Sequence, residues 1–301
     1  MVTRKISAFA HNNKWNWSMQ GMKTEQNNSE KISVLMSVYR NDIPEHFRLA
    51  MESVIYQTVP ADEIILTVDG PVSAEMQREI EELQKRCSYL TVFWLKENVG
   101  LGNALNYGMQ QCKNTIVARM DSDDISVPTR FEKQIQKFKN NSNLTIVGSY
   151  IDEFLENPQN PESVRKVPIQ NEEIHKKGVI RCPFNHPSVM FRKEHIIDVG
   201  GYQEVYLFED YYLWIRLLEK GYVCENIPQI LVHLRVGNGM LNRRCGKKYF
   251  SSNKFLQDYM LQHKMISRCQ YYFNIVARWC VQVGMPGWMR EFVYSKVLRK
   301  R

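Results

Sequence analysis

The feature that most constrains the fold is a regular alternation of short apolar runs with longer amphipathic segments between Lys31 and about residue 138. Runs rich in β-branched and aromatic residues that alternate with helical patterns are typical of βαβ units. We therefore predict an α/β fold with a mainly parallel sheet flanked by helices. The predicted strands are 32–39, 64–68, 90–95 and 115–120, and the predicted helices are 44–56, 74–87, 101–111 and 128–138.

Polar residues follow each of the four predicted strands. They are Tyr39 to Asp42, Asp69 and Gly70, Glu97 and Asn98, and Asp121 to Asp124. Because ligands of parallel sheets bind at the carboxyl ends of the strands, these side chains are expected to line a ligand site at one edge of the sheet.

The alternation lapses after about residue 150, where a loop at 157–168 carries three prolines. A second set of elements is predicted beyond it: an apolar run at 187–191, a turn at 200–202, a helix at 209–220 and a strand pair within 223–236. The sequence thus divides into a polar N-terminal extension (1–30), a first half of alternating strands and helices (31–150), a second half (151–240) and a basic helical C-terminal region (241–301).

Charge is distributed unevenly along the chain. Residues 240–301 hold 13 Lys or Arg against 2 Asp or Glu, a net charge of +11, whereas residues 1–239 have a net charge of −3. A basic region of this kind suits an anionic partner, either a phosphate-rich polymer or an anionic lipid surface.

Cysteine spacing and hydropathy bear on the cellular compartment in which the protein is expected. The seven cysteines never form C-x-x-C, so we expect reduced packing residues in a cytosolic protein rather than disulfides or a zinc site. The N-terminus lacks an apolar signal core, and no run of eighteen apolar residues occurs. At most, the C-terminal region is expected to lie on a membrane.

Three carboxylates, Asp121, Asp123 and Asp124, follow the fourth predicted strand. They would repel one another unless they were exposed or neutralised by a cation. Oxygen ligands completed by phosphate and water suit Mg²⁺ or Mn²⁺ on a nucleotide. The alternative is a solvated acidic turn in which Asp124 caps the next helix.

Six blocks of this sequence resemble family 2 glycosyltransferases of the GT-A fold, and among them bacterial enzymes that assemble O-antigen, capsule and exopolysaccharide. The resemblance covers about residues 31–245. It implies that residues 31–150 form the nucleotide-sugar-binding half and that residues 151–240 form the acceptor-binding half with the catalytic base. The blocks are Ser33–Arg40 (SVLMSVYR), Ala61–Pro71 (ADEIILTVDGP), Glu97–Gly108 (ENVGLGNALNYG), Ala118–Arg130 (ARMDSDDISVPTR), His186–Phe191 (HPSVMF) and Phe208–Trp214 (FEDYYLW).

The resemblance implies roles at the donor side of the site. Val38, Tyr39 and Asp69 are expected to line the nucleotide base and ribose. Asp121 is expected near the sugar or ribose as well as the metal, and Asp123 on the metal that bridges the diphosphate. Arg119, which precedes the D-x-D sequence, is expected to contact the donor.

The resemblance also implies that Glu209 and Asp210 form the family's E-D motif, with Asp210 as the catalytic base. A metal that stabilises the leaving diphosphate and one carboxylate that accepts the hydroxyl proton suffice for sugar transfer. Direct attack assisted by a single base inverts the anomeric carbon, so an α-linked donor gives a β-linked product.

By analogy with the family, the donor is expected to be UDP-glucose or UDP-galactose. The expected acceptor is a GlcNAc or GalNAc carried on undecaprenyl diphosphate. Such a lipid would bring the enzyme to the cytoplasmic face of the bacterial inner membrane. The C-terminal region combines cations with Trp and Tyr, which fits membrane-surface contact; the alternative is a helical subdomain with an ordinary basic surface.

Three further sets of residues have open interpretations. His186 is either a metal or phosphate ligand or a structural turn histidine. Trp214 either stacks on the acceptor sugar or belongs to the core. Arg243 and Arg244 either hold the diphosphate or lie in a solvated basic turn.

Two other functions, a sugar nucleotidylyltransferase and a nucleic-acid-binding protein, fit the sequence less well. A sugar nucleotidylyltransferase would need a glycine-rich phosphate loop after the first strand, but residues 39–44 contain no glycine. A nucleic-acid-binding protein would use the basic C-terminal tail, but the net charge of −3 over residues 1–239 argues against a broad polyanion groove, and no nucleic-acid partner is expected.

Overall fold

A computed structural model describes residues 30–237 and 245–284. Nine strands form one mixed sheet in the order β3-β2-β1-β4-β8-β6-β9-β5, with β7 paired to β6. The strands are β1 Ile32–Tyr39, β2 Glu63–Asp69, β3 Leu90–Trp94, β4 Ile116–Arg119, β5 Ile125–Ser126, β6 Leu144–Phe154, β7 Ser163–Arg165, β8 Met190–Arg192 and β9 Val223–Arg235.

Helices cover both faces of the sheet and form the C-terminal region. They are α1 Pro44–Ile55, α2 Ala74–Arg86, α3 Leu101–Gln111, α4 Arg130–Asn140, α5 Asn171–Gly178, α6 Lys193–Asp198, α7 Glu209–Glu219, α8 Gly246–Gln262 and α9 Arg268–Trp279. A short 3₁₀ turn at His186–Ser188 precedes β8, and a π-helical turn at Cys280–Gly284 follows α9.

The first four strands are parallel, as predicted from the alternation. β1 pairs with β2 on one side and with β4 on the other, and Tyr39 lies opposite Asp69 in the register. Strand order therefore reverses at β1, which is where parallel α/β sheets bind their ligands.

The core has a layer on each face of the sheet. Val34 and Met36 point toward α1, α2 and α4, whereas Leu35 lies on the other face with residues of α3, α5, α6 and α7. Helices on both faces explain why β1 and β2 are apolar almost throughout rather than alternating with polar residues. This packing fixes the carboxyl ends of the strands as a rigid edge.

The C-terminal helices pack on the main body through a third, smaller apolar cluster. Tyr211, Tyr212 and Ile215 of α7 meet Leu256 and Met260 of α8. The helical C-terminal region that the sequence predicted is thus attached to the helix that begins with Glu209 and Asp210.

Several elements differ from the sequence prediction. The predicted boundary at residues 150–151 falls inside β6, which pairs with both β8 and β9 in the same sheet. The predicted strand pair within 223–236 is one long strand, β9, with register shifts along β6. Pro228 lies within β9 and lacks the N–H that a regular ladder needs.

Cysteine and hydropathy predictions can be checked over the described residues. All seven cysteines are free, and Cys87, Cys112 and Cys224 are buried. Within residues 30–237 and 245–284, none of the helices has both the length and the apolar character of a membrane span.

Candidate active site

The acidic loop Asp121–Asp124 connects β4 to β5 at the carboxyl edge of the sheet. Arg119 ends β4, is almost completely buried, and donates two hydrogen bonds from its guanidinium to the carboxylate of Asp121. Because a buried guanidinium is stabilised by a paired carboxylate, this contact fixes Asp121 beside the strand end. Arg119 therefore supports the loop from within the sheet.

Asp42 ties the turn after β1 to the acidic loop. Its Oδ2 accepts hydrogen bonds from the Tyr39 backbone N–H at 3.0 Å and from the Ser122 hydroxyl at 2.8 Å. Burial raises the pKa of Asp42 to about 6, and the charge of Asp121 adds to the rise although both hydrogen bonds oppose it. The sequence placed Asp42 at this edge without assigning it to the site; only its position after β1 signalled it.

Asp123 lies among like charges. Burial, together with the charges of Asp121 and Asp42, raises the pKa of its carboxyl to about 7. Arg235 and Arg119 oppose that shift. Arg235 ends β9, and its Nε donates a hydrogen bond to the Asp123 carbonyl oxygen at 3.1 Å. Arg235 is a second residue that sequence reasoning did not assign.

Asp124 is buried and does not cap the next helix. Its Oδ1 accepts a hydrogen bond from the Arg235 backbone N–H at 2.8 Å, while Thr129 occupies the N-cap of α4. Its Oδ2 is buried without a hydrogen-bond partner among the described residues, and burial raises the pKa of the carboxyl well above its usual range. The solvated, helix-capping alternative is therefore wrong for Asp124.

The donor set of this loop fits a hard divalent cation. Asp42, Asp121 and Asp123 bring three carboxylates together in a partly buried position, and two arginines offset the repulsion only in part. In the described part of the chain, no group of three or more His, Cys, Asp or Glu side chains is arranged to hold a metal by itself. One or two of these carboxylates could bind such a cation, with phosphate oxygens or water completing the shell.

Asp69 organises the loop that enters α3. Its carboxylate accepts hydrogen bonds from Asn98 Nδ2 at 2.8 Å and from the backbone N–H groups of Val99 at 2.7 Å and Gly100 at 3.1 Å. Gly70, at a φ of +83°, lies so close to this loop that a Cβ would stand 2.6 Å from the Asn98 nitrogen. Asp69 and Gly70 therefore hold residues 98–100 against the end of β2.

The turn after β1 presents the other predicted nucleoside contacts. Tyr39 is partly exposed and lies opposite Asp69. The Val38 side chain is buried in the core, so only its backbone is available to a ligand.

Glu209 and Asp210 occupy the first turn of α7, as the sequence predicted for the start of this helix. Asp210 Oδ1 accepts a hydrogen bond from the Tyr211 backbone N–H at 2.7 Å. Burial and the neighbouring Asp210 raise the pKa of Glu209. Leu207, two residues before the helix, has a φ of +60°, a left-handed conformation that costs a branched side chain about 1–2 kcal/mol.

Tyr202 connects the acidic loop with the start of α7. Its hydroxyl lies 2.9 Å from His186 Nε2 and is buried. Burial raises the pKa of Tyr202, the Arg119 charge opposes the rise, and the charges of Asp210 and Asp121 add to it. One buried hydroxyl is therefore within electrostatic range of both predicted catalytic regions.

Helix α3 contacts the same place. A Cβ at Gly102 would lie 3.5 Å from the Tyr202 side chain and 3.6 Å from that of Glu209. Asn106, one turn later, hydrogen-bonds the Tyr202 backbone with both its oxygen, at 2.8 Å, and its nitrogen, at 2.6 Å. The first turns of α3 thus bring the loop held by Asp69 up to Glu209.

His186 and Trp214 lie in different surroundings. The His186 side chain is half-buried, its Nε2 lies 2.9 Å from the Tyr202 hydroxyl, and desolvation with the nearby Arg119 charge holds its pKa well below the usual range. The contact with Tyr202 favours the structural interpretation of His186, and its role as a ligand stays a prediction. Trp214 is completely buried and meets Phe184 at a ring distance of 5.5 Å, so it has no face open to an acceptor sugar. Arg243 and Arg244 lie outside the described residues.

Comparison with known proteins identifies the family of this chain. The family model for glycosyl transferase family 2 matches residues 33–200. An Escherichia coli protein named UDP-Gal:alpha-D-GlcNAc-diphosphoundecaprenol beta-1,3-galactosyltransferase is 39% identical over 272 residues, which is 90% of this chain and 97% of the relative. The amylovoran biosynthesis glycosyltransferase AmsE of Erwinia amylovora is 36% identical over 88% of this chain and 98% of its own length.

Solved structures share the fold at low sequence identity. S. aureus TarS residues 1–349 in complex with UDP-GlcNAc superposes with a TM-score of 0.62 at 14% identity, covering 89% of this chain and 76% of that one. This likeness confirms the GT-A fold that the sequence predicted. From the family match and the two bacterial relatives, we conclude that the chain belongs to glycosyltransferase family 2 and is a glycosyltransferase.

Proposed function

We propose that this enzyme transfers galactose from UDP-galactose to a GlcNAc carried on undecaprenyl diphosphate, with inversion, to give a β-linked disaccharide. The E. coli relative supports this choice of donor and acceptor, because its name states that reaction and it matches 90% of this chain. The observation that carries the proposal is geometric: Asp69 at the carboxyl edge of the sheet holds the entry to α3, and the first turn of α3 lies against Glu209, since a Cβ at Gly102 would stand 3.6 Å from the Glu209 side chain. Groups suited to the donor and to the acceptor hydroxyl are thus proposed to share one site.

Asp123, with Asp121, would hold Mn²⁺ or Mg²⁺, which when bound supplies Lewis-acid stabilisation of the departing diphosphate. Arg119 orients Asp121 through its guanidinium. Arg235 and Asp42 fix the loop from β9 and from the turn after β1. These contacts orient the carboxylates before the donor arrives, which reduces the reorganisation that binding requires.

The nucleoside end of the donor is proposed to lie along Tyr39, the Val38 backbone and Asp69. Tyr39 and Asp69 lie opposite each other on neighbouring strands at the switch point of the sheet. The Asp42 hydrogen bond to the Tyr39 N–H joins this end to the acidic loop. One rigid edge of the sheet therefore aligns base, ribose and diphosphate.

Asp210 is proposed to accept the proton of the acceptor hydroxyl. As that oxygen bonds to the anomeric carbon, the bond from this carbon to the UDP oxygen breaks on the opposite face, and UDP leaves with the electron pair. Glu209 lies beside Asp210, and burial together with the Asp210 charge raises the pKa of Glu209. A single base and no enzyme nucleophile give inversion.

The acceptor lipid implies that the enzyme works at the cytoplasmic face of the inner membrane, in synthesis of O-antigen or another surface polysaccharide. The net charge of +11 over residues 240–301 supports attraction to an anionic leaflet.

The test is a panel of UDP-sugars incubated with Mn²⁺ and a GlcNAc- or GalNAc-diphosphate lipid, with UDP release and product linkage measured. We expect UDP-galactose and the GlcNAc lipid to give the fastest turnover and a β-linked product. A different preferred sugar, or an α linkage, would overturn the proposed specificity or stereochemistry. Nucleotide-sugar synthesis from a triphosphate and a sugar phosphate would instead favour a nucleotidylyltransferase.

A further inference from the structure

Helix α9 has an unusually apolar outer side. Tyr272, Phe273, Val276 and Trp279 are 66%, 72%, 61% and 50% exposed, and we call these four residues the α9 apolar face. Their spacing of one, three and three residues keeps them on one side of a helix. Four large apolar side chains exposed within eight residues form a contiguous patch rather than scattered surface residues.

The opposite side of α9 is fixed to α8 by polar contacts. Asn274 is buried and its Nδ2 donates to Gln257 Oε1 at 2.9 Å, and the Tyr271 hydroxyl donates to Asp258 at 2.7 Å. Arg278 donates to the Ile180 carbonyl oxygen, outside the C-terminal helices. The helix is therefore held in one orientation, with its apolar face turned away from the protein.

The charge around this face selects its partner. Residues 245–284 contain six Lys or Arg and one acidic residue, Asp258. Asp258 is engaged by Lys254 and Tyr271, so its charge is offset locally. A second copy of the chain would bring two cationic surfaces together, which like-charge repulsion disfavours. An anionic lipid surface matches both the apolar face and its positive surroundings.

The same helices adjoin the proposed catalytic base. The Lys248 ammonium of α8 lies 3.9 Å from the centre of the Tyr206 ring, and the Phe208 and Tyr249 rings are 4.9 Å apart. Tyr206 to Phe208 form the turn that leads directly into Glu209 and Asp210. Helix α9 packs on α8, and α8 packs against the turn before α7. The α9 apolar face therefore belongs to the same part of the molecule as the start of α7.

We propose that the α9 apolar face docks on an anionic lipid bilayer, with its aromatic side chains in the headgroup region and α9 parallel to the surface. Docking would bring the start of α7 to the membrane where a lipid-linked sugar is found. Its role in transfer rests on the proposed function, but docking itself does not.

The experiment is flotation of the full chain with phosphatidylcholine vesicles, with and without phosphatidylglycerol. We expect binding to vesicles that contain phosphatidylglycerol and weaker binding as salt is added. Phe273→Ser should weaken binding about tenfold or more, because it removes one aromatic side chain that docking would bury in the headgroup region. Phe273→Ser with Trp279→Ser should abolish it. Trp94→Ser, which removes a similarly exposed tryptophan from β3, should bind as the unaltered protein does.

Three results would overturn docking: no binding of the unaltered protein to phosphatidylglycerol vesicles, unchanged binding of the double variant, or a dimer that Phe273→Ser dissociates. Circular dichroism checks that the double variant is folded, and single Phe273→Ser provides a second test if it is not. UDP binding, measured separately, distinguishes the two proposals. Vesicle binding without UDP affinity would support docking and contradict the proposed function. UDP affinity without vesicle binding would contradict docking and leave the proposed function standing.

Discussion

The acidic loop between β4 and β5 and the first turn of α7 both carry adjacent carboxylates, but the fold holds them in different ways. Arg119, Asp42 and Arg235 contact the acidic loop from three separate elements, and the carboxylates remain crowded. Glu209 and Asp210 are reached through a strained turn at Leu207 and begin a helix. In the proposed mechanism, the crowded loop receives a cation, whereas the helix start presents one proton acceptor.

The largest effect is expected for Asp123→Asn. The amide keeps the volume of the side chain but loses the charged oxygen ligand, so turnover should fall by about a thousandfold or more. Initial rates of UDP release with Mn²⁺ measure this loss. Glu132→Gln, on the exposed first turn of α4, is the matched control and should leave the rate unchanged. Full activity of Asp123→Asn would show that the acidic loop does not bind a metal that the reaction needs, which would contradict the proposed difference between this loop and the start of α7.

The same variant should be more stable without metal. Since the folded pKa of Asp123 is raised from 3.8 to about 7, its charged form destabilises the fold, and stability falls as the pH rises through that interval. In chelator, the melting temperature of the unaltered protein should therefore rise as the pH is lowered from about 7.5 to about 5. The raised pKa of Asp42 contributes in the same direction. Asp123→Asn should show a smaller rise. The same dependence of melting temperature on pH in both proteins would contradict the idea that Asp123 is destabilised by burial and by neighbouring carboxylates.

Asp210→Asn should remove transfer while leaving donor binding intact. Loss of a general base typically costs about a hundredfold or more in turnover. UDP-galactose affinity, measured by calorimetry, should remain within about twofold, since Asp210 acts on the acceptor hydroxyl rather than on the donor. A variant that turns over at the normal rate would show that another group accepts the proton.

Arg235→Gln should weaken the metal site without destroying it. Residues that orient metal ligands typically affect affinity by about 10- to 100-fold, and the Arg235 Nε holds the Asp123 peptide. Arg235→Lys retains the charge and should recover part of the Mn²⁺ affinity. Arg48→Gln on α1 serves as the control, because its contact is an ion pair with Glu52 of the same helix. Equal Mn²⁺ titrations for Arg235→Gln and the unaltered protein would show that the loop does not depend on β9.

The smallest effect is expected at Leu207. Leu207→Gly relieves the left-handed backbone, whereas Leu207→Ala keeps it strained, so the glycine variant should be more stable than the alanine variant by about 1 kcal/mol. Urea unfolding of the two variants measures the difference. Greater stability of the alanine variant would show that the turn before α7 is not strained.

Much of the parallel half was predictable because its signals are local. β1 to β3 and α1 to α3 agree with the predicted ranges to within about two residues, and each strand is followed by the polar group that marks its carboxyl end. β5 and β7, with two and three residues, are too short to leave a pattern. β6 was missed because its neighbours β8 and β9 come much later in the chain.

The site was only partly predictable for the same reason. Asp121, Asp123 and Asp210, together with Arg119, stand in recognisable short sequences, but Asp42 and Arg235, which also contact the acidic loop, do not. Arg235 reaches the acidic loop from 112 positions away, and only tertiary structure brings it there. Trp214 follows Asp210 by one helical turn, and helical spacing alone did not show that this side of α7 faces the core.

The central claim is that the carboxylates of the acidic loop bind the donor through a divalent ion, and calorimetry of UDP-galactose binding tests it directly. The account predicts that excess chelator reduces the affinity of the unaltered protein for UDP-galactose to that of Asp123→Asn. Added Mn²⁺ should restore this affinity in the unaltered protein but not in Asp123→Asn. Equally tight binding in chelator and in Mn²⁺ would contradict it.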